Sequence, residues 1–421
     1  MHKKTLTLAL AGLLSCSVAA ADTVFFSTQA RPLEEAQAMR DKVLKGFDGE
    51  VQFLPQEDGP FFARIEAEQK ADKGSLALLG ALHGDYPPIE TALDNVNDLI
   101  PTLQAAGVSP GYIKLGKLGG EDQMYVPWMQ ATYIMAANKK ALEHLPEGAD
   151  VQALTYDQLL QWGQNMQQAT GEAKLGFPAG PKGLIHRFLQ GYLYPSFTNS
   201  VVTEFRSDAA KQMWATFRDI WQVSNPRSTA YNFMQEPLLT GEVWVAFDHT
   251  ARLKDAFDKQ PDDFIAFPAP AGPAGRGYMP VVAGLAIPAK AVDRAESARL
   301  IKYLMEPQTQ IATLRATSFF PTVKVDFPDD LPKSVQISGT AVAAQANSPD
   351  AILSLLPIGL GDKSGLFSKI YQDSFQQIVL RNADIDSILD RQASQLERLM
   401  QEAGAPCWSP DLPSTGACPV K

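Results

Sequence analysis

An indole stands two residues from a carboxamide, Trp128 and Gln130, in the run MYVPWMQATYIMAANKK from Met124 to Lys140. Such a pair offers a flat apolar face with polar groups beside it, a combination that suits a polyhydroxylated ring. Carboxylates at Glu57, Asp85 and Asp248 could accept paired hydroxyls, while Gln29, Gln130, His83, His249 and Arg252 could donate, the arginine through charge-assisted bonds. Phe367 could supply a second stacking face, and Tyr278 and Gly284 flank the start of an apolar strand. Each residue also has a structural reading: a tryptophan buried in a strand corner, a solvated carboxylate, a helix cap, an arginine paired on the surface.

Catalytic patterns do not survive inspection. Gly107-Val108-Ser109-Pro110-Gly111 has the G-x-S-x-G spacing of serine hydrolases, but Pro110 has no N–H for an oxyanion hole and the stretch follows a helix, not a strand. There is no H-E-x-x-H, and the five histidines show no ligand spacing. The glycines from Gly359 to Gly365 match neither a dinucleotide nor a phosphate loop, and no calcium loop occurs. The expectation is a protein with no metal, no cofactor and no reaction of its own. A secreted glycoside hydrolase, with carboxylates of a sugar cleft turned catalytic, is the alternative.

The amino terminus reads as an export signal over residues 1–21: basic His2, Lys3 and Lys4, an apolar stretch Leu6 to Leu14, and Ala19-Ala20-Ala21 as cleavage site. Leu13-Leu14-Ser15-Cys16 offers lipoprotein acylation at Cys16 as the alternative. A periplasmic location is expected. Removing the signal takes away Lys3 and Lys4 and no acid, so the formal charge moves from −10 to −12. An acidic chain with dispersed cations is a poor nucleic-acid binder. Of the three cysteines only Cys407 and Cys418 remain, and in an oxidising compartment they read as a disulfide closing a tail, residues 406–421.

These side chains need positioning elements. Thr23–Phe26, Val51–Leu54 and Ser75–Gly80 read as strands, with helices Pro32–Lys45 and Pro60–Ala71 between them, a βαβαβ order that implies a parallel sheet. Ligands of such sheets sit beyond the carboxyl ends of the strands, where Ser27–Gln29, Gln56–Asp58 and His83–Asp85 fall. Thr155 and Gln158 form a capping box for a helix Tyr156–Ala169, and Ser207 caps another with Met213, Trp214, Phe217, Ile220 and Trp221 on one stripe. Strands follow at Val243–Phe247, Phe264–Phe267 and Val281–Ile287, then a helix capped by Asp293 and amphipathic helices to the end.

Seven pieces in this order resemble the family 1 extracellular solute-binding proteins of ABC importers, the group that includes maltose-binding proteins. They are Tyr125-Val126-Pro127, Asn138-Lys139, the capped helix at Thr155, Leu239-Thr240-Gly241-Glu242, Pro268 to Pro273, Val282 to Ile287, and Phe320-Pro321-Thr322. The resemblance implies an α/β, two-lobed periplasmic binding protein fold, each lobe a mixed sheet flanked by helices, with three inter-lobe crossings. It implies one lobe from 22–128 and 284–324, a second from 129–283 and 325–405, and a solute clamped by hinge closure. A monomer delivering a carbohydrate to a membrane permease is the implied role; a binding protein for a non-sugar polar solute, or one serving chemotaxis only, would share the fold. Two departures stand out. Ala137 replaces a frequent tyrosine, and Asp248-His249-Thr250-Ala251-Arg252 stands where maltose-type members carry a stacking tryptophan. Losing aromatics and gaining an arginine points to a smaller, more polar or anionic ligand.

Overall fold

The computed structural model describes residues 23–421, apart from the side chain of Asp362; the export signal and Cys16 lie outside the described residues. Three strands open the chain, β1 (Thr23–Ser27), β2 (Val51–Pro55) and β3 (Leu78–Leu82), and β1 pairs in parallel with both others. The short β4 (Leu93–Asp94) and β5 (Val126–Ala131) follow, then β6 (Tyr133–Asn138), β7 (Leu175–Gly176), β8 (Val245–His249) and β9 (Phe264–Phe267). Last come β10 (Arg276–Tyr278), β11 (Val281–Pro288), β12 (Phe320–Pro321) and β13 (Ala351–Leu353). A seven-stranded mixed sheet runs β12-β5-β11-β3-β1-β2, with β4 on β11, and a four-stranded one runs β7-β8-β6-β9. A parallel pair, β10 with β13, stands apart.

The strand order places two passages between the two large sheets, at Thr132 between β5 and β6 and between β9 and β11. A buried polar knot ties these two passages together. The Thr132 hydroxyl donates to the Met279 carbonyl at 3.0 Å and lies 3.0 Å from the Tyr192 hydroxyl, which in turn donates to the Tyr133 carbonyl at 2.9 Å. After β12, the Thr322 hydroxyl donates to the carbonyl of Pro127 at 2.8 Å.

Most helices form where apolar periodicity and capping place them. Thr155 and Gln158 make the reciprocal capping box of helix Tyr156–Thr170, Ser207 caps Asp208–Gln222, and Asp293 caps Arg294–Leu304. Ser109 is also a helix cap, accepting from Tyr112 N. Both Trp214 and Trp221 pack into the core around the second sheet.

Some boundaries differ, for physical reasons. β3 begins later than Ser75, since pairing with β1 starts only at Leu78. β8 is set by its partner β6 and extends to His249. Trp128 and Gln130 lie within β5. Pro127 is tolerated inside that strand because β12 reaches only Met129 and Gln130, and because β11 shifts register beside it, between Ala283 and Gly284. The Cys407–Cys418 disulfide forms, with Cα atoms 4.6 Å apart. No described helix is long and apolar enough to cross a membrane.

Candidate functional site

Around the carboxyl ends of β1, β2 and β3 the first sheet gathers several of the expected polar residues. Gln29 is half-buried, and its carboxamide donates to the Thr28 hydroxyl at 2.9 Å. Glu57 is exposed just ahead of helix Asp58–Lys70 and pairs with Arg31. Asp85 accepts from Leu82 N at 3.0 Å, and burial pushes its carboxyl up to about 6, with the nearby Asp58 adding to the rise and Arg31 opposing it. His83 is buried with Nδ1 2.7 Å from the Tyr125 hydroxyl, and its Nε2 has no partner among the described residues. Desolvation pushes this imidazole down to about 4, so it is neutral at pH 7.

Other expected residues turn inward. Trp128 is fully buried, its ring 5.6 Å from that of Phe25, among Met39, Val43, Ile301 and Leu304. The two-residue period of β5 directs Val126 and Trp128 to a face that two helices cover, so the indole is core. Gln130 accepts from the Tyr112 hydroxyl and donates to the Pro321 carbonyl at 3.1 Å, which commits its carboxamide to the chain. At Gly284 an added Cβ would fall 2.1 Å from the Tyr125 ring, and its carbonyl accepts from Tyr86 at 2.6 Å. Its role is close packing, not ligand contact. Phe367 is fully buried against Tyr371 and Trp408, beneath the tail. Tyr278 is half-buried on β10, and burial raises its phenol.

Asp248 is fully buried as well. Its two oxygens accept from Met234 N at 2.9 Å and His249 N at 2.8 Å, and burial pushes it up to about 7. It fastens the 231–235 segment to β8 instead of offering an acceptor to a ligand.

A second cluster forms at the carboxyl end of β8, beside the Thr132 passage. His249 caps helix Thr250–Lys259 by accepting from Ala251 N at 3.2 Å through Nδ1, which leaves the proton of the neutral ring on Nε2. Its ring meets the cross-strand Tyr133 ring edge-on, 5.1 Å between centroids. Arg252 holds the Asn232 carbonyl at 3.0 Å, with its guanidinium 4.5 Å from the Phe233 ring centroid. Arg187 and Arg252 both lie beside the Tyr133 hydroxyl: burial pushes that hydroxyl up, and the two cations pull the other way. His186 is driven down to about 3 by burial and by the same two arginines.

Tyr133, His186 and Arg187 were not among the expected site residues. Tyr133 reads as one apolar residue of a strand, and its role depends on which residue pairs across from it. A signal for the other two exists: the polar pair His186-Arg187 interrupts the mostly apolar run from Leu184 to Phe197.

A surface groove of about 810 Å³, lined by Glu172, Lys174, Arg227 and Glu242, opens at the amino-terminal ends of β7 and β8 and extends to Asn232 and Phe233, the residues that hold Arg252. Among the described residues no group of acids, histidines and cysteines is arranged to hold a metal ion.

Comparisons with known proteins agree with this architecture. Residues 38–336 match the family model described as bacterial extracellular solute-binding protein. The sugar-binding protein MalE of Xanthomonas citri superposes with a TM-score of 0.71 at 13% identity, covering 90% of this chain and 97% of that one. Maltose-bound MalE3 of T. maritima gives 0.68 at 16% identity, covering 90% and 100%. UgpB of Mycobacterium tuberculosis, in complex with glycerophosphocholine, gives 0.66 at 17% identity, covering 91% and 99%. At these identities the likeness is one of fold. No curated protein matches the sequence. The matched family is one of binding proteins, not enzymes, and its model spans well over half of the chain: this protein belongs to the bacterial extracellular solute-binding proteins.

Proposed function

We propose that the chain is the exported, monomeric binding component of an ABC importer, capturing a small carbohydrate or carbohydrate derivative between two lobes and presenting it to a membrane permease. The lobes correspond to the two large sheets, and their hinge to the passages near Thr132, Pro280 and Thr322. The observation that carries the reading is the placement of the two polar clusters. His83, Asp85, Glu57 and Gln29 sit at the carboxyl ends of parallel strands, where α/β sheets bind ligands. Tyr133, His249 and Arg252 lie beside the first passage. Neutral imidazoles and a phenol suit hydroxyl groups, and the buried Nε2 of His83, with no partner among the described residues, would gain one from a ligand hydroxyl. The departures from maltose-type members, together with the burial of Trp128, Asp248 and Phe367, favour a ligand held mainly by hydrogen bonds and charge.

A thermal-shift screen of the mature protein against mono-, di- and trisaccharides, glycosides, sugar acids and sugar phosphates tests this. A ligand at ~100 times its dissociation constant stabilises the fold by about 2.7 kcal/mol, a readily visible shift. A response only to peptides or polyamines would keep the fold and sink the carbohydrate reading.

A further inference from the structure

Two half-buried arginines, Arg187 on the short helix Ile185–Phe188 and Arg252 in the first turn of helix Thr250–Lys259, lie at the second cluster: Arg252 reaches the Lys182 carbonyl, at 3.4 Å, on the segment that leads into the helix of Arg187, and both flank the Tyr133 hydroxyl. Neither forms an ion pair with any described carboxylate. The adjacent carboxylate, Asp248, is buried and committed to two backbone N–H groups. Arg187 has the Tyr133 hydroxyl within hydrogen-bond reach and lies 3.4 Å from the Gln190 carboxamide oxygen. The nitrogen of that carboxamide is buried with no acceptor among the described residues, although Gln190 is only 1% exposed. Two half-buried cations beside one tyrosine repel each other, and a buried amide donor without an acceptor costs free energy. Half-buried, with no described carboxylate within ion-pair distance, the two arginines are suited to an anion from outside.

We propose that Arg187 and Arg252, with the Gln190 amide, form an oxyanion subsite in the solute cleft, taking the carboxylate or phosphate of an acidic sugar or sugar phosphate. The assignment rests on the two-lobe reading given above. Guanidinium groups suit it because their planar forks match the oxygens of both anions, and they remain charged at every relevant pH. Arg252 is oriented by the Asn232 carbonyl and the Phe233 ring, so it arrives in place without reorganisation. The neutral His186 and His249 rings beside the pair leave the positive charge on the arginines and can hydrogen-bond the sugar hydroxyls.

The test is calorimetric titration of the mature protein, freed of co-purified ligand by dialysis, with glucose, glucuronate, glucose 1-phosphate, glucose 6-phosphate, glycerol 3-phosphate and inorganic phosphate. The expected result is that one anionic probe binds roughly 100-fold or more tighter than glucose, and that R187Q and R252Q each weaken it by ~10- to 100-fold. Glucuronate against the phosphate esters tells which anion the subsite takes. R187Q carries the decision, because Arg187 holds little of the fold; an unchanged ligand-free melting midpoint verifies that it is folded. The proposal is overturned if glucose binds as tightly as the anions, if R187Q binds the anionic probe like the wild type, or if no anionic probe binds. Tight glucose binding indifferent to R187Q would leave the carbohydrate reading standing. Binding of glycerol 3-phosphate or inorganic phosphate through both arginines, with no sugar bound, would uphold the subsite and remove the carbohydrate.

Discussion

Trp128 separates a core role from a binding role, and the two make opposite forecasts. Trp128→Ala empties a fully buried slot lined by Phe25, Met39, Ile301 and Leu304, helices and strands that come from both ends of the chain. Truncating a buried tryptophan in such a setting costs about 3–5 kcal/mol. If the first sheet and its helices melt as a unit, that is a fall of roughly 5–15 °C in their midpoint. Trp128→Phe should behave differently. It gives up about 1–2 kcal/mol of buried surface, but it also removes an indole N–H that has no acceptor, whose desolvation costs about 1–3 kcal/mol. The two terms nearly cancel, so the Phe variant should melt close to the wild type. The assay is a ligand-free melt of all three proteins, followed by titration with whichever solute the screen identifies. A Trp128→Ala protein that melts like the wild type yet loses its ligand would refute the core assignment. So would a Phe variant that stays stable but loses most of its affinity.

Asp411 anchors the tail by accepting from Val201 N at 2.8 Å, Val202 N at 2.9 Å and Thr203 N at 2.9 Å, besides two hydroxyls. Asp411→Ala leaves those donors buried and should cost about 3–5 kcal/mol in urea unfolding of the second lobe, whereas reducing the Cys407–Cys418 bridge, which spans 11 positions, should cost about 3 kcal/mol. If Asp411→Ala shifts the midpoint no more than a surface substitution, the anchor reading fails. For pH, Asp248 has its folded value raised to about 7 from an ordinary 3.8, so the folded state binds more protons than the unfolded chain across that window. Its contribution is therefore lost as pH rises from about 4 to 7. Asp248→Asn should flatten that part of the stability profile relative to the wild type, and parallel profiles for the two proteins would show that the group does not titrate as its burial implies.

How far the sequence could be read follows from the range of the interactions concerned. The parallel order of the first three strands, the capping box at Thr155, the caps at Ser207 and Asp293, and the strand Phe264–Phe267 all rest on local spacing, and all are in the structure. So does the Cys407–Cys418 pairing, since a short loop brings the two thiols together with little freedom to go elsewhere. The candidate site was legible only in part. Strand-end spacing puts His83 and Asp85 just past β3 and the Asp248-His249…Arg252 segment at the carboxyl end of β8, and the structure has them at those ends.

Trp128, Asp248 and Phe367 show where local reading stops. An indole that stacks on a ligand and one that fills a core obey the same alternation, and only the docking of residues 33–44 and 298–304 decides that this face is covered. The carboxylate of Asp248 is claimed by Met234, which the 231–235 segment brings to it. Arg187 joins Arg252 although they are 65 positions apart, because β6 places Tyr133 opposite His249 and both arginines flank the Tyr133 hydroxyl. The sequence alone determined which segments become strands and helices, and that the chain is a binding protein of two α/β units. Which polar side chains face the solute was decided by tertiary packing, because exposure is a property of what covers a face, and the covering elements lie far along the chain.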